Sequence, residues 1–247
     1  MDPNRIAELL QPYLRAEPLQ AEVALAPDQL QRVSIYVDLL LRWNARVNLT
    51  AVRDADGIVT RHFGESLFLA LYLFHGSLRG TETQTPSRQH ALDLGSGAGF
   101  PGLPLKIYAP ELRLTLVESN HKKAAFLAEV IRALQLSDVS VYPGRLEAGL
   151  VKEAEHVVPI GIEPPNLVTM RAVESFDSAL QTAAALVRYG SPQLGRGKLA
   201  LLIGKSQAAR VRDRIRDFSW DSPALVPESR ERVLFVGAYP IVNVPAE

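Results

Sequence analysis

"HALDLGSGAGFPGLPL", residues 90–105, is the stretch on which the fold turns. A short apolar run closes on Asp93 and Leu94, and the turn that follows carries Gly95, Gly97 and Gly99. Glycine there frees the backbone for a tight turn and for close approach of a ligand. An apolar stretch of helical character comes next. Strand, glycine turn and helix in that order belong to α/β folds, whose ligands sit at the carboxyl ends of the strands.

Outward from this stretch the same texture recurs. "RLTLVES", "VSVYPG", "NLVTMRAV", "KLALLIG" and "ERVLFVGAYPI" read as strands, with "HKKAAFLAEVIRALQL" and "SFDSALQTAAALVRYG" as helices between the earlier ones. Alternation of this kind predicts an α/β fold with a doubly wound, mostly parallel sheet. Toward the N-terminus, Leu30, Val33, Val37, Leu40 and Leu41 fall on one face of a helix that Pro27 is suited to open. A second helix is expected in "GIVTRHFGESLFLALYLF". The predicted organisation is an N-terminal helical region (1–75), a polar linker (76–89) and an α/β core (90–247).

Composition narrows the class. The 247 residues are 47% hydrophobic and 22% charged, and carry no cysteine, so disulfides, thiolate metal sites and cysteine nucleophiles are excluded. The strongest apolar run, "LFLALYLF" at 67–74, is far short of the ~20 residues that cross a bilayer. The opening "MDPNRIAELL" lacks the basic-then-apolar layout of a signal peptide, so a cytoplasmic protein is expected. Nothing in the sequence demands an oligomer, and a monomer is expected. Formal net charge is zero, yet eight basic residues lie between Arg188 and Arg216 against the single acid Asp213, which leaves room for a local basic patch.

The turn itself reads G-x-G-x-G, with Phe100 where a dinucleotide loop wants its third glycine. Asp93 just before the turn would face a ligand and repel a pyrophosphate. S-adenosylmethionine has no phosphate and carries a sulfonium and an ammonium, so a carboxylate suits it better. Glu118, followed by Ser119, ends the next strand, where an acid can accept both ribose hydroxyls of an adenosine cofactor. "GKS" at 204–206 resembles the end of a phosphate-binding loop, but Leu199 stands where the first glycine is required.

Several separated segments together resemble the bacterial small-subunit (16S) ribosomal RNA guanine-N7 methyltransferases, the RsmG or GidB family. They are "WNARVNLTAVRDADGIVTRHFGESL" (43–67), "LDLGSGAGFPGLPLKI", "VESNHKKAAFL", "GRLE", "MRAV" and "ERVLFV". The family's D-S-L stands here as Glu65-Ser66-Leu67, and its K-G after the fifth strand is reversed as Gly204-Lys205. The resemblance implies a Rossmann-like class I methyltransferase core, S-adenosylmethionine as cofactor and the small ribosomal subunit as partner. It implies that Gly95, Gly97, Gly99 and Phe100 form the cofactor loop and that Leu146 and Glu147 flank the adenine. It places Arg171 at the border of cofactor and target base, and Arg145, Lys205 and Arg232 around the RNA cleft.

Guanine N7 carries an in-plane lone pair and no hydrogen, so its methylation needs no general base. No Ser-His-Asp, paired-carboxylate or H-E-x-x-H pattern is found, and no metal is expected. Arg171 and Arg145 are therefore expected to position the base through O6 or phosphate, leaving N7 free. Plainer roles compete: Asn48 and Thr50 as turn residues, His62 as a packed histidine, Trp43 as core, and the 210–216 arginines as a solvated helix paired with Asp213 and Asp217. A methyltransferase for a small molecule or protein, a non-catalytic S-adenosylmethionine-binding protein and a dehydrogenase remain as alternatives at this point.

Overall fold

The computed structural model describes residues 1–15, 23–75, 89–146, 162–173, 175–194 and 197–240. The expected linker, apart from Gln89, and Glu147 lie outside the described residues.

Five strands run parallel in the order β3 (Val139–Tyr142), β2 (Arg113–Val117), β1 (His90–Leu94), β4 (Leu167–Arg171), β5 (Lys198–Gly204). The long β8 (Arg232–Ala238) pairs antiparallel with β5, and the two-residue strands β6 (Ser219–Trp220) and β7 (Ala224–Leu225) pair with β8. The strand order reverses between β1 and β4, and ligands of doubly wound sheets bind in the crevice at such a point. The glycine turn leaves the sheet there.

Side chains alternate across the sheet with the two-residue period of a strand. In β5, Ala200 and Leu202 enter one core, whereas Leu199, Leu201 and Ile203 enter the other. The first core is closed by α1 (Pro3–Leu14), α2 (Pro27–Asn44), α4 (Glu65–His75), α5 (Gly102–Tyr108) and α6 (His121–Ala133). The second is closed by α7 (Phe176–Leu194) and α8 (Gln207–Arg214). The N-terminal helices are thus part of the layer covering one face of the sheet. Each buried leucine in these layers contributes roughly 1.5–3 kcal/mol relative to exposure.

Local chemistry explains the helix starts. Pro27 opens α2 and the Gln29 side chain accepts from the Ala26 amide at 2.8 Å. The same Gln29 donates to the carbonyls of Ile107 and Tyr108, at the end of α5, which ties the N-terminal layer to the helix after the glycine turn. Of the anticipated α2 face, Val33, Val37 and Leu40 are fully buried and Tyr36 joins them, whereas Leu30 and Leu41 are half-buried.

The helix expected over 57–74 is broken into three geometries. α3 (Ala55–Ile58), capped by Asp54, passes into a π-helical turn (Val59–Gly64) before α4. A π turn is wider than an α turn and shifts the side chains that follow. Gly64 fits there because a Cβ would meet the Tyr13 ring of α1 at 2.6 Å.

Candidate functional site

The glycine turn is pinned from three sides. The amides of Gly95 and Ser96 both donate to the Val117 carbonyl at the end of β2, at 2.9 and 3.0 Å. The Gly97 amide donates to Glu118 Oε2 at 2.8 Å, and Glu118 Oε1 accepts from the Asn120 amide at 2.7 Å. From the helical layer, the Tyr36 hydroxyl donates to the Ala98 carbonyl. Gly95, Gly97 and Gly99 all have positive φ (72°, 58° and 89°), which explains why glycine occupies each.

The three glycines differ in their surroundings. A Cβ at Gly99 would meet the Tyr36 hydroxyl at 2.3 Å and Leu103 at 2.5 Å, so this glycine admits the helical layer. A Cβ at Gly95 would touch Val173, just past β4, at 3.1 Å. A Cβ at Gly97 meets nothing closer than the Gly95 carbonyl at 3.9 Å, so the turn is open at that point. An open backbone beside a carboxylate that retains free lone pairs fits the ribose and amino-acid portions of an adenosine cofactor.

One sequence expectation requires correction here. Asp93 does not face the ligand side. It is 1% exposed, and its carboxylate accepts from Thr169 Oγ1 at 2.8 Å and from the Gly102 amide at 3.2 Å. Burial raises its pKa to about 6, against the lowering effect of those hydrogen bonds. A Cβ on Gly102 would crowd Asp93 at 2.9 Å, so the fourth glycine accommodates this internal brace. The sheet buries both faces of β1, and an acid there survives only by finding donors. The ring of Phe100, the loop residue after Gly99, is buried in the core that the helical layer closes. It stacks on Tyr36, meets Phe63 edge-on and lies 4.9 Å from the His62 ring.

Arg171, at the end of β4, is held by the helical layer. Its NH2 group donates to the Arg61 carbonyl at 2.8 Å and to His62 Nδ1 at 2.9 Å, and lies 3.0 Å from Glu65 Oε2. Both side chains of the Arg171–Glu65 pair are 9% exposed. Arg232 Nε, at the start of β8, stands 3.6 Å from the same carboxylate oxygen. The expectation that Arg171 reaches the target base therefore meets a guanidinium already engaged inward. Sequence reasoning noticed Glu65 only as a departure from D-S-L and missed its partners; the available signal was an acid in an otherwise apolar helix.

Of the remaining expected residues, Ser119, Arg145 and Lys205 follow the carboxyl ends of β2, β3 and β5. Ser119 and Arg145 are exposed and near one another, the Arg145 Nε donating to Ser119 Oγ at 3.5 Å. Leu146 is buried in the core that α7 closes. Lys205 is exposed just past β5, beside Arg232 through the β5–β8 pairing. Asn48 and Thr50 sit in a turn that Asn44 holds through hydrogen bonds to the Thr50 backbone and the Val52 carbonyl. Trp43 packs on Phe126.

The arginine run of α8 is a paired surface. Arg210 and Arg214 bridge to Asp177 of α7, Arg212 lies over Phe235, Arg216 donates to the Asp213 carbonyl, and Arg188 grips Asp217 through two hydrogen bonds. The pairing expected for these arginines comes mainly from α7. Among the described residues no cluster of His, Asp and Glu could hold a metal ion, and no helix is long and apolar enough to cross a membrane.

Sheet order, glycine turn and strand-end acid define a Rossmann-like fold of the methyltransferase class. In overall structure the chain is similar to two crystal structures of a MtNAS mutant. One has a TM-score of 0.51 at 14% identity, covering 87% of this chain and 75% of that one. The other, in complex with S-adenosylmethionine, has a TM-score of 0.50 at 16% identity, covering 85% of this chain and 76% of that one.

Residues 29–222 match the family described as "GidB: rRNA small subunit methyltransferase G", and the chain belongs to that family. Three relatives called ribosomal RNA small subunit methyltransferase G illustrate the likeness. The one from Roseiflexus sp. (strain RS-1) is 38% identical over 231 residues, covering 88% of this chain and 90% of the relative. The one from Roseiflexus castenholzii is 44% identical over 164 residues, covering 66% of this chain but only 60% of the relative. The one from Stenotrophomonas maltophilia is 38% identical over 188 residues, covering 76% and 75%.

Proposed function

We propose that this protein transfers a methyl group from S-adenosylmethionine to N7 of a guanine in small-subunit (16S) ribosomal RNA, working as a monomer in the cytoplasm. Membership of the GidB family, extending over residues 29–222, carries the reading. Asp93, being internal, lends the cofactor assignment no electrostatic support. Its support is the family together with the open turn at Gly97 beside Glu118.

When bound, the cofactor supplies a methyl group activated by a sulfonium. Gly95, Gly97 and Gly99 shape the turn that receives it. Glu118, which holds Gly97, would accept the ribose hydroxyls with Ser119 on the same edge, and Leu146 and Glu147 would flank the adenine. Asp93 and Phe100 act from behind, fixing the turn against β4 and the helical layer. Arg145, Lys205 and Arg232 bind the RNA, chiefly through phosphate. Because N7 needs no deprotonation, the protein's task is to hold the base in line with the donor, an effect worth up to ~7–11 kcal/mol in well-aligned systems. Arg171 contributes by fixing the end of β4 beside the turn.

The test incubates the protein and methyl-labelled S-adenosylmethionine with small ribosomal subunits from a strain lacking the modification. The expected result is label in 16S RNA, mapped by mass spectrometry to N7 of a guanine. Label confined to a protein or a metabolite, or absent altogether, would overturn the reading.

A further inference from the structure

His62 joins two parts of the molecule that sequence leaves far apart. Its Nε2 lies 2.7 Å from Thr50 Oγ1, and its Nδ1 lies 2.9 Å from the Arg171 NH2 group. A guanidinium can only donate, so Nδ1 must be the acceptor and must carry no proton. The single proton of a neutral ring is then on Nε2, and it is donated to Thr50. Thr50 Oγ1 also accepts from the Val52 amide at 3.2 Å, which holds the hydroxyl in place. The guanidinium thus dictates the tautomer, and the Thr50 hydroxyl, able to accept as well as donate, receives the proton left on Nε2. Burial and the nearby Arg171, Arg61 and Arg232 act together against a second proton, lowering the His62 pKa to about 3.

Arg171 is the residue this arrangement serves. Residues 171–173 leave β4 against the glycine turn, where Val173 lies 3.1 Å from the place a Cβ on Gly95 would occupy. The Arg171 guanidinium carbon stands 6.0 Å from the centre of the Phe100 ring, and Phe100 follows Gly99. The guanidinium Nε is buried with no hydrogen-bond partner, and so is Glu65 Oε2. The ion pair therefore supplies attraction without hydrogen-bonded direction, and direction comes from the Arg61 carbonyl and His62.

We propose that His62, with Thr50, is a positioning residue of the methyl-transfer site: as the Nε2–H tautomer it fixes Arg171, and through Arg171 the strand end that backs the cofactor turn. The inference rests on the methyltransferase reading above. It gives the N-L-T turn a task in catalysis, namely accepting the Nε2 proton of a histidine twelve residues on and so holding its ring in place.

Asparagine can place its side-chain oxygen close to the Nδ1 position, whereas leucine fills the space with no acceptor. His62→Asn, His62→Leu and Thr50→Val are compared with wild type by thermal unfolding, by calorimetric affinity for S-adenosylmethionine, and by kcat and KM on unmodified subunits, all well below the unfolding midpoint. His62→Leu is expected to lose at least about tenfold in kcat and to bind cofactor more weakly, since misplacement of a reacting geometry by ~1 Å can cost 10²-fold. His62→Asn is expected to recover most of both at an RNA KM close to wild type, and Thr50→Val to fall between. Equal behaviour of the Asn and Leu variants, or wild-type kcat and cofactor affinity in the Leu variant, would overturn the proposal. If wild type methylates no ribosomal RNA, the functional reading fails, while cofactor affinity still decides the role of His62.

Discussion

Arg171 and Glu65 meet 3.0 Å apart although 105 residues separate them in sequence, one closing β4 and the other opening α4. Their shared burial makes the pair an anchor between the sheet and the N-terminal layer. Removing one partner strands the other's charge in the interior. Arg171→Ala is expected to lower the unfolding free energy by about 3–5 kcal/mol, whereas the double variant Arg171→Met/Glu65→Leu should lose far less. Urea denaturation of the three proteins checks this, and a loss under 1 kcal/mol for Arg171→Ala would count against a buried anchor.

The second anchor runs from Tyr36 to the Ala98 carbonyl. Tyr36→Phe keeps the stacking on Phe100 but leaves a carbonyl of the glycine turn unsatisfied. A stability loss of about 1–3 kcal/mol is expected. Cofactor affinity should weaken several-fold while KM for the RNA stays near wild type. Isothermal calorimetry with S-adenosylmethionine reads the first effect and steady-state kinetics the second.

The buried Asp93 and the half-buried His62 give the stability a pH dependence of opposite sign. The folded-state pKa of Asp93, about 6, lies above its ordinary 3.8, so the folded protein holds that proton more tightly. The stabilisation is fully present below pH 3.8 and is lost as pH rises through about 6, a swing of roughly 3 kcal/mol. His62 behaves in reverse. Its pKa is depressed from 6.5 to about 3, so the stability of its neutral form is present above pH 6.5 and lost as pH falls. Asp93→Asn should therefore gain on wild type as pH rises from 4 to 7. Chemical denaturation at half-unit pH steps measures the difference, and a constant offset between the two curves would refute the buried-acid assignment.

Arg145 and Lys205 are exposed at the sheet's carboxyl edge, and their proposed partners are phosphates. Neutralising each should weaken RNA binding and reduce the slope of log affinity against log salt by about 0.7 per contact. Paired substitution of Arg210 and Arg214, which bridge to Asp177, should leave that slope unchanged. Filter binding between ~50 and 200 mM salt separates the two surfaces.

Much of the architecture was legible in the sequence because it follows from local rules. β1 and β5 lie at "HALDL" and "KLALLIG" as the apolar runs indicate, and the glycine turn follows β1. Helical periodicity located the buried face of α2, and the family segments identified the residues around the turn. What escaped depended on partners distant in sequence. The π turn serves the packing of Tyr13 and the reach of His62; β6 and β7 are too short to leave a pattern and exist by pairing with β8.

The sequence by itself determined the fold class, the location of the glycine turn and the family, because strand runs, glycines and motif segments are read along the chain. Only the tertiary structure decided which way the functional side chains face. Asp93 looked available to a ligand until Thr169 and Gly102 were seen to claim it, and Arg171 looked free until the N-terminal layer closed over it. Burial and hydrogen-bond geometry arise between residues that sequence spacing does not relate. A charged group's role depends on the partner it finds when water is excluded.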